Sequence, residues 1–158
     1  MTAPRRLLIP ETVWRATTGL LTPYAVAQVE AGVYWYGTRS EEAAVVSVVG
    51  VPRQLNRPRN FDVHSEDLAA LIRVLPDPLV AVAALHTHPG IDTRHSEWDD
   101  ARAVSRKILS LVLPFYGRDP QLEDAAVHQS VDERWVMLGP EEARSRLALI
   151  PTLIDARS

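Results

Sequence analysis

The chain has 158 residues, of which 46% are hydrophobic and 23% charged, and a formal net charge of -3 at pH 7. This length and composition predict a single globular domain and exclude an intrinsically disordered chain. The weakly acidic balance argues against nucleic acid as a partner. Because the chain has no cysteine, disulfides, thiolate metal sites and cysteine nucleophiles are excluded as well.

No apolar stretch is long enough to span a bilayer, and no signal-peptide core follows Met1–Pro10. We therefore expect a soluble, cytoplasmic protein with no membrane partner. Any metal in such a chain would be held by histidine and carboxylate side chains.

The first third of the chain predicts one helix and two strands. Proline suits the first turn of a helix, so Pro10 opens a predicted helix that runs to about Leu21. The β-branched and aromatic stretches Val33–Gly37 and Ala43–Val51 predict two strands. The polar segment Gln54–Asn60, with its arginines and proline, predicts a loop.

Helices and strands alternate in the middle of the chain. Ser65 is a predicted N-cap, followed by an amphipathic helix that ends before Pro76. Leu79–His86 is a continuous apolar run, typical of a strand that is buried on both faces. Ser96 is a second predicted N-cap, of a helix from Glu97 to about Leu109.

Three strands and a helix complete the pattern. The strands are predicted at Leu111–Phe115, Ala125–His128 and Arg134–Leu138, and the helix from Gly139 through Leu149. Because helices separate the groups of strands, the sequence predicts an α/β or α+β fold, with a central mixed sheet flanked by helices.

The segment from His86 to Asp99 carries the chemistry. Side chains on a strand alternate between faces, so His86 and His88 point the same way, with Cα atoms roughly 6–7 Å apart. Pro89-Gly90 ends the strand, and Asp99 lies in the first turn of the next predicted helix, where its carboxylate faces the strand end. Two histidines and one carboxylate are the protein ligands of a catalytic zinc site, which leaves a coordination position for water.

A hydrolytic site of this kind needs two further groups. A base must take a proton from the attacking water, and a donor must stabilise the oxyanion that forms on the substrate. Ser96 is placed to be that donor if its hydroxyl is not fully used as a helix cap. The base must be a carboxylate from elsewhere in the chain.

These residues resemble the JAMM motif of the JAB/MPN metalloprotease family. The motif consists of His, Ser or Thr, His and Pro, followed at fixed distances by Ser and Asp. The matching residues are His86-Thr87-His88-Pro89, Ser96 and Asp99. The resemblance implies that His86, His88 and Asp99 hold one zinc ion per chain and that Ser96 serves the oxyanion.

The family also places a catalytic glutamate just before its first strand, in a segment that closes with glycine. Glu30–Gly37 resembles this segment at its first and last residues, with Gly32-Val33 where the family has Cys-Gly. The resemblance therefore implies Glu30 as the general base.

The implied protein is a single JAB/MPN domain over residues 1–158 that cleaves after the C-terminal glycine of a ubiquitin-like modifier. Its substrate would be a modifier conjugate or precursor, and E1- and E2-like enzymes of the same pathway are further candidate partners. In such enzymes the substrate tail adds to a strand edge near the zinc. Val33–Gly37 and Asn60–His64 are the segments where we expect this edge.

Two other functions are compatible with the same residues. One is a metallopeptidase that processes a sulfur-carrier protein, and the other is a non-catalytic MPN scaffold that binds partner proteins. Glu41 and Glu42 are rivals to Glu30 as the base, but they lie in a predicted hairpin turn beyond the strand. For the remaining histidines we expect structural roles without chemistry: His64, His95 and His128.

Overall fold

Ten strands and four α-helices are formed within residues 2–157, the part of the chain that the computed structural model describes. In chain order they are β1 (Arg6–Pro10), α1 (Glu11–Ala27), β2 (Gly32–Arg39), β3 (Ala43–Gly50), β4 (Leu55–Arg57), β5 (Asn60–Asp62), α2 (Ser65–Arg73), β6 (Val80–Thr87), α3 (Glu97–Arg102), β7 (Leu109–Leu113), β8 (Ala126–Val131), β9 (Arg134–Met137), α4 (Pro140–Arg146) and β10 (Leu147–Ile150). None of the helices within this range combines the length and the apolar character that a membrane crossing requires.

Eight of the strands form one mixed sheet, in the order β10-β1-β3-β2-β6-β7-β8-β9. β1 runs parallel to β10 and to β3, and β6 runs parallel to β7, whereas the other neighbours are antiparallel. β4 and β5 form a separate hairpin. The predicted fold class, a mixed sheet combined with helices, is therefore confirmed.

The central strands are buried on both faces of the sheet. Trp35 of β2 faces α1, where its indole Nε1 donates a hydrogen bond of 2.9 Å to Thr17 Oγ1. Tyr34, one residue earlier, faces the other side of the sheet and is also buried, as is Tyr36. The aromatic side chains of β2 thus belong to the core.

The first helix is longer than predicted. The prediction ended it near Leu21, whereas it runs to Ala27 with Pro23 inside it, although a proline there removes one backbone hydrogen bond. The helix continues because a buried stripe along it packs against the sheet. This stripe consists of Val13, Thr17, Leu21 and Ala25.

Two later helices are shorter than predicted. α3 ends at Arg102 rather than near Leu109, because Leu109–Leu113 is buried as β7 beside β6. α4 ends at Arg146, and the following residues to Ile150 form β10 beside β1. β1 and β10 were not predicted, since each is short and is held by pairing between distant parts of the chain.

The N-cap of α2 is shifted by one residue from the prediction. His64 occupies the cap position, without a side-chain cap, and Ser65 is already the first helical residue. The His64 carbonyl accepts the first backbone N–H groups of the helix. A serine one position too late therefore does not act as a cap.

The segment Gln54–Asn60, predicted as a loop, belongs largely to the β4–β5 hairpin. Gln54 Oε1 accepts the N–H of Gly32, and Gln54 Nε2 donates to the Gly32 carbonyl, both at 2.9 Å. The Phe61 ring of the hairpin lies against Gly32, where a Cβ atom would clash with it. These contacts fix the hairpin to the start of β2.

The two segments predicted to offer a strand edge to a substrate tail differ in how they are paired. β2 pairs with β3 on one side and with β6 on the other, so the prediction of an edge at Val33–Gly37 is wrong. β5, in the Asn60–His64 segment, pairs with β4 alone among the described strands. At its outer edge the Phe61 carbonyl accepts the indole N–H of Trp98 at 3.0 Å, so α3 occupies this position.

Replacing Thr17 by valine is expected to lower the free energy of unfolding by about 1–3 kcal/mol, because the buried indole N–H of Trp35 loses its acceptor. Chemical denaturation measures the loss. Thr22→Val is the matched control, since the Thr22 hydroxyl also donates to a carbonyl on α1 but is exposed. Equal losses in the two variants would contradict the importance of the bond to Trp35.

Candidate metal centre

Two histidines at the end of β6 point to the same side of the sheet. His86 lies opposite Gly32 of β2, and the intervening Thr87 is fixed through its Oγ1, which accepts the N–H of Ala31 at 3.1 Å. Both histidines are buried, and the Nε2 atoms of His86 and His88 lie 3.2 Å apart. The structure therefore brings together the two histidines that the strand period places on one face.

Asp99 reaches the histidines from the first turn of α3. The Ser96 N–H donates to Asp99 Oδ2 at 2.7 Å, and the Asp99 N–H donates to Ser96 Oγ at 3.2 Å, so the two residues form a capping box. Asp99 Oδ1 then lies 3.4 Å from His86 Nε2, and Oδ2 lies 3.1 Å from His88 Nε2. The N-cap predicted at Ser96 is confirmed, and the cap orients the carboxylate.

The three side chains are spaced as ligands of a single metal ion. Within residues 2–157 they form the one group of three such residues whose ligand atoms all lie within 4.8 Å of one another. A tetrahedral zinc site with bonds of about 2.0–2.1 Å separates its ligand atoms by about 3.3 Å. The distances among His86, His88 and Asp99, 3.1–3.4 Å, fit this geometry.

A second contact fixes the orientation of the His88 ring. Its Nδ1 lies 2.8 Å from the carbonyl oxygen of Asp92 and donates a hydrogen to it. In the neutral imidazole, Nε2 therefore presents a lone pair to Asp99 and His86. Histidines that bind metals ordinarily make such an outer contact, which sets their tautomer.

The electrostatics of the group favour a positive charge at its centre. Burial raises the pKa of Asp99, but hydrogen bonds from His86 and His88 outweigh burial and hold this pKa well below its usual range. Burial lowers the pKa of His88, yet its hydrogen bonds to Asp99 and to the Asp92 carbonyl outweigh burial, so this pKa is raised. The buried carboxylate is thus ionised and needs a proton on the imidazoles or a metal ion beside it.

Glu30 lies just before β2 and is held in place by the β4–β5 hairpin. Its N–H donates to the Arg57 carbonyl at 2.8 Å, and its carbonyl accepts from Asn56 Nδ2 at 2.9 Å. Glu30 is only 4% exposed, and burial raises the pKa of its carboxyl from 4.5 to about 7, with His88 lowering it and Asp99 raising it. A carboxyl group with this pKa can both take and give a proton near neutral pH.

An open cleft connects Glu30 with Ser96. Its walls also include Arg59 from the hairpin and Tyr116, whose hydroxyl donates to the Pro58 carbonyl at 3.0 Å. Ser96 is exposed, and because its Oγ accepts a backbone N–H, its own hydrogen remains free to donate. The cleft therefore presents the buried Glu30 carboxyl group and the Ser96 hydroxyl beside His88, and the exposed Asp92 lines it as well.

His95 and His128 belong to a buried network behind the group of His86, His88 and Asp99. His95 Nδ1 lies 2.9 Å from Asp100 Oδ1, its Nε2 lies 2.9 Å from Ser110 Oγ, and its ring stacks on His128 at 3.9 Å. Burial, together with the neighbouring His95, lowers the pKa of His128 to about 3. The network ties the turn that carries Ser96 to β7 and β8, a role that only the pairing of these distant strands reveals.

The other acidic residues near the motif lie on the surface. Glu41 and Glu42 are exposed in the turn between β2 and β3, where Glu42 lies 3.6 Å from Arg5. Asp92 pairs its exposed carboxylate with Arg94 at 2.8 Å and offers only its carbonyl to His88. Glu30 is thus the carboxyl group that lines the cleft in a buried position.

The chain matches no known family profile and no curated protein sequence. It is similar in fold to a protein from Desulfitobacterium hafniense whose structure was determined in solution. The TM-score is 0.69 at 15% sequence identity, over 93% of this chain and 94% of the other. A likeness at this identity shows a shared fold and leaves the chemistry to be argued from the site.

Metal-free protein titrated with Zn²⁺ is expected to bind one ion per chain. Asp99→Ala is expected to lower the affinity by more than about 100-fold, since even an outer contact of a ligand is worth about 10- to 100-fold. Isothermal titration calorimetry measures both quantities. The control is Glu97→Ala, in the same helical turn but exposed, and thermal unfolding separates a lost ligand from a lost fold. Undiminished binding by Asp99→Ala would contradict the ligand set.

Glu30 is expected to make the metal-free protein less stable as the pH rises. Its pKa is raised from 4.5 to about 7 on folding, so the stabilisation is complete below pH 4.5 and is lost as the pH rises through 7. Glu30→Gln removes this dependence, and its stability should therefore gain on wild type between about pH 5 and pH 8. Denaturation curves in the presence of a chelator measure the difference, with the exposed Glu41→Gln as control. A constant difference across this range would contradict the raised pKa.

Proposed function

We propose that the protein is a zinc-dependent, JAMM-type isopeptidase or peptidase with an MPN-type fold. It would hydrolyse the bond that follows the C-terminal glycine of a ubiquitin-like modifier. The observation that carries this proposal is the buried group of His86, His88 and Asp99 with Glu30 and Ser96 on the adjoining cleft. The mixed sheet that supports the group is compatible with such a fold.

Glu30 moves the proton in the proposed reaction. A zinc ion held by the three ligands would lower the pKa of a bound water and polarise the substrate carbonyl. Glu30 takes the proton that the water releases, for which its pKa of about 7 is suited. The same carboxyl then gives this proton to the leaving amine as the C–N bond breaks, and Glu30 returns to its starting form.

Ser96 supplies the donor for the developing oxyanion. Its Oγ accepts the Asp99 N–H and thereby keeps a fixed position, while its hydroxyl hydrogen remains free. A donor held in place before the reaction costs no reorganisation when the negative charge forms. The capping box thus orients a metal ligand and an oxyanion donor together.

The edge of β5 is the candidate site for the substrate tail. Phe61 at this edge already gives its carbonyl to the Trp98 indole. A tail that added along β5 would exchange this bond for one to its own backbone N–H, as in other cases of strand addition.

Glu30→Gln is expected to lower the rate of cleavage of a C-terminally extended modifier by about 100- to 10,000-fold, because the reaction loses its base. Ser96→Ala is expected to lower it by about 100- to 1,000-fold through loss of the oxyanion donor. Zinc content should remain at one per chain in Glu30→Gln, and Glu42→Gln is the exposed control.

The choice of substrate distinguishes the related functions. Cleavage of a lysine-linked conjugate supports an isopeptidase, whereas cleavage limited to an extended sulfur carrier assigns the processing function instead. Full activity of Glu30→Gln would falsify the assigned base. A zinc-loaded protein that cleaves neither substrate would leave the scaffold function.

A further inference from the structure

The mixed sheet ends in two edge strands that differ in charge. β9, at one end, carries Arg134, and the carbonyl of the preceding Glu133 accepts a hydrogen bond from Arg106. β10, at the other end, has the sequence Leu147-Ala148-Leu149-Ile150 and carries no charge. Within residues 2–157 it pairs with β1 alone. An edge strand that lacks charged side chains is open to pairing with a further strand.

A groove of about 410 Å³ runs along β10 on the core-facing side of the sheet. Leu147 and Leu149 line it, and they lie opposite Leu7 and Ile9 of β1, which are fully buried in the core. Because partners across a sheet share a face, the groove is on the core side, yet Leu149 remains 47% exposed there. Further apolar walls come from α4 and the end of β9, and they include Ala143, Met137 and Leu138.

The segment that follows β10 carries aliphatic side chains that are largely uncovered. Leu153 and Ile154 are 81% and 77% exposed. The start of the segment is fixed, since Thr152 Oγ1 accepts the backbone N–H of Thr12 at 3.2 Å. A cavity of about 150 Å³ takes up benzene, so the groove has room for both aliphatic side chains.

The charges beside the groove and on this segment are complementary. Arg144 and Glu123 line the groove, are exposed and form no ion pair within the range 2–157. Asp155 and Arg157 of the segment pair with each other on the surface at 2.6 Å. Exposed pairs of this kind contribute little stability, so they are readily exchanged for other pairs. Arg144 is therefore a suitable partner for Asp155, and Glu123 for Arg157.

The positions of the groove and the segment favour a second copy of the chain as the occupant. When two identical strands pair antiparallel about a two-fold axis, the end of each lies beside the start of the other. The groove borders the start of β10 through Arg144 and Leu147, whereas Leu153 and Ile154 follow its end. One symmetric arrangement thus pairs both open edges and brings each segment to the groove of the other copy. Pro151 has no N–H and ends the stretch that can pair.

We propose that two copies of the chain associate through antiparallel pairing of their β10 strands. Leu153 and Ile154 of each copy bind in the groove of the other, and Arg144 of each copy pairs with Asp155 of the other. The inference is independent of the proposed function, because the candidate metal centre lies at the end of β6, which three strands separate from β10.

The first experiment is analytical ultracentrifugation of the full chain over a range of concentrations. An interface built on a strand of four residues predicts a dimer with a Kd of roughly 1–100 µM. The outward-facing amides of β10 should exchange with solvent about tenfold more slowly in the dimer than in the monomer. A protein that stays monomeric up to about 1 mM overturns the inference. A dimer with unchanged exchange along β10 overturns it as well.

The double variant Leu153→Ser, Ile154→Ser tests the apolar contact. It should raise the Kd by about 10-fold or more, because two aliphatic side chains no longer leave water on association. Both residues are exposed in the single chain, so the replacements do not disturb its core. Val26→Ser is the control, since Val26 is equally exposed, at 79%, but lies on α1 outside the groove. An unchanged Kd in the double variant contradicts the proposed contact.

A charge exchange tests whether the segment crosses between copies. Arg144→Glu and Asp155→Arg, each made alone, place like charges at both symmetric contacts and should raise the Kd by about 10-fold or more. A mixture of the two single variants should form a heterodimer with the Kd of the unmodified protein, because both contacts then join opposite charges. A segment bound in the groove of its own chain would gain nothing from mixing, and that result would overturn the inference.

Discussion

The rest of the structure depends on the close approach of three buried side chains at the end of β6, those of His86, His88 and Asp99. When the His88 ring is neutral, it gives its Nδ1 hydrogen to the Asp92 carbonyl, and its Nε2 then meets Asp99 and His86 with a lone pair. Buried acceptors without a donor or a cation are costly. The surrounding structure nevertheless holds these three side chains together through a buried strand end, a capping box and a histidine network. Structural support of this kind for a costly arrangement is typical of sites that bind an ion.

The position of Glu30 depends on the β4–β5 hairpin, since the residue lies just before β2 and is bonded to the hairpin through its backbone. The Glu30 N–H donates to the Arg57 carbonyl, and the Glu30 carbonyl accepts from the Asn56 side-chain amide. The side-chain amide of Gln54 holds Gly32, the first residue of β2, in the same way. The resulting burial raises the pKa of Glu30 to about 7. Under the proposed function stability and chemistry are therefore opposed at Glu30, because the ionised carboxylate that a base requires is the form that burial disfavours.

The parts of the site that depend on local spacing could be predicted, and those that depend on distant pairing could not. The same-face placement of His86 and His88 follows from the strand period, and the carboxylate of Asp99 follows from its position in the helical turn capped by Ser96. In contrast, the contacts of His95 with Ser110 and His128 arise from strand pairing 15 and 33 residues away. The same holds for the hairpin, whose strands of three residues carry too little pattern to be distinguished from a loop.

The parallel pairing of β1 with β10 has a consequence for how the chain reaches its native state. Leu7 pairs with Leu147, and Thr12 bonds to Thr152 across a separation of 140 residues. Closing so long a loop lowers the conformational entropy of the chain before the contacts between β1 and β10 can compensate for it. Topologies of this kind therefore fold slowly. During synthesis β1 must therefore wait, with one edge open, until nearly all of the described chain has left the ribosome, which makes this edge the place where a nascent chain would most need protection from aggregation.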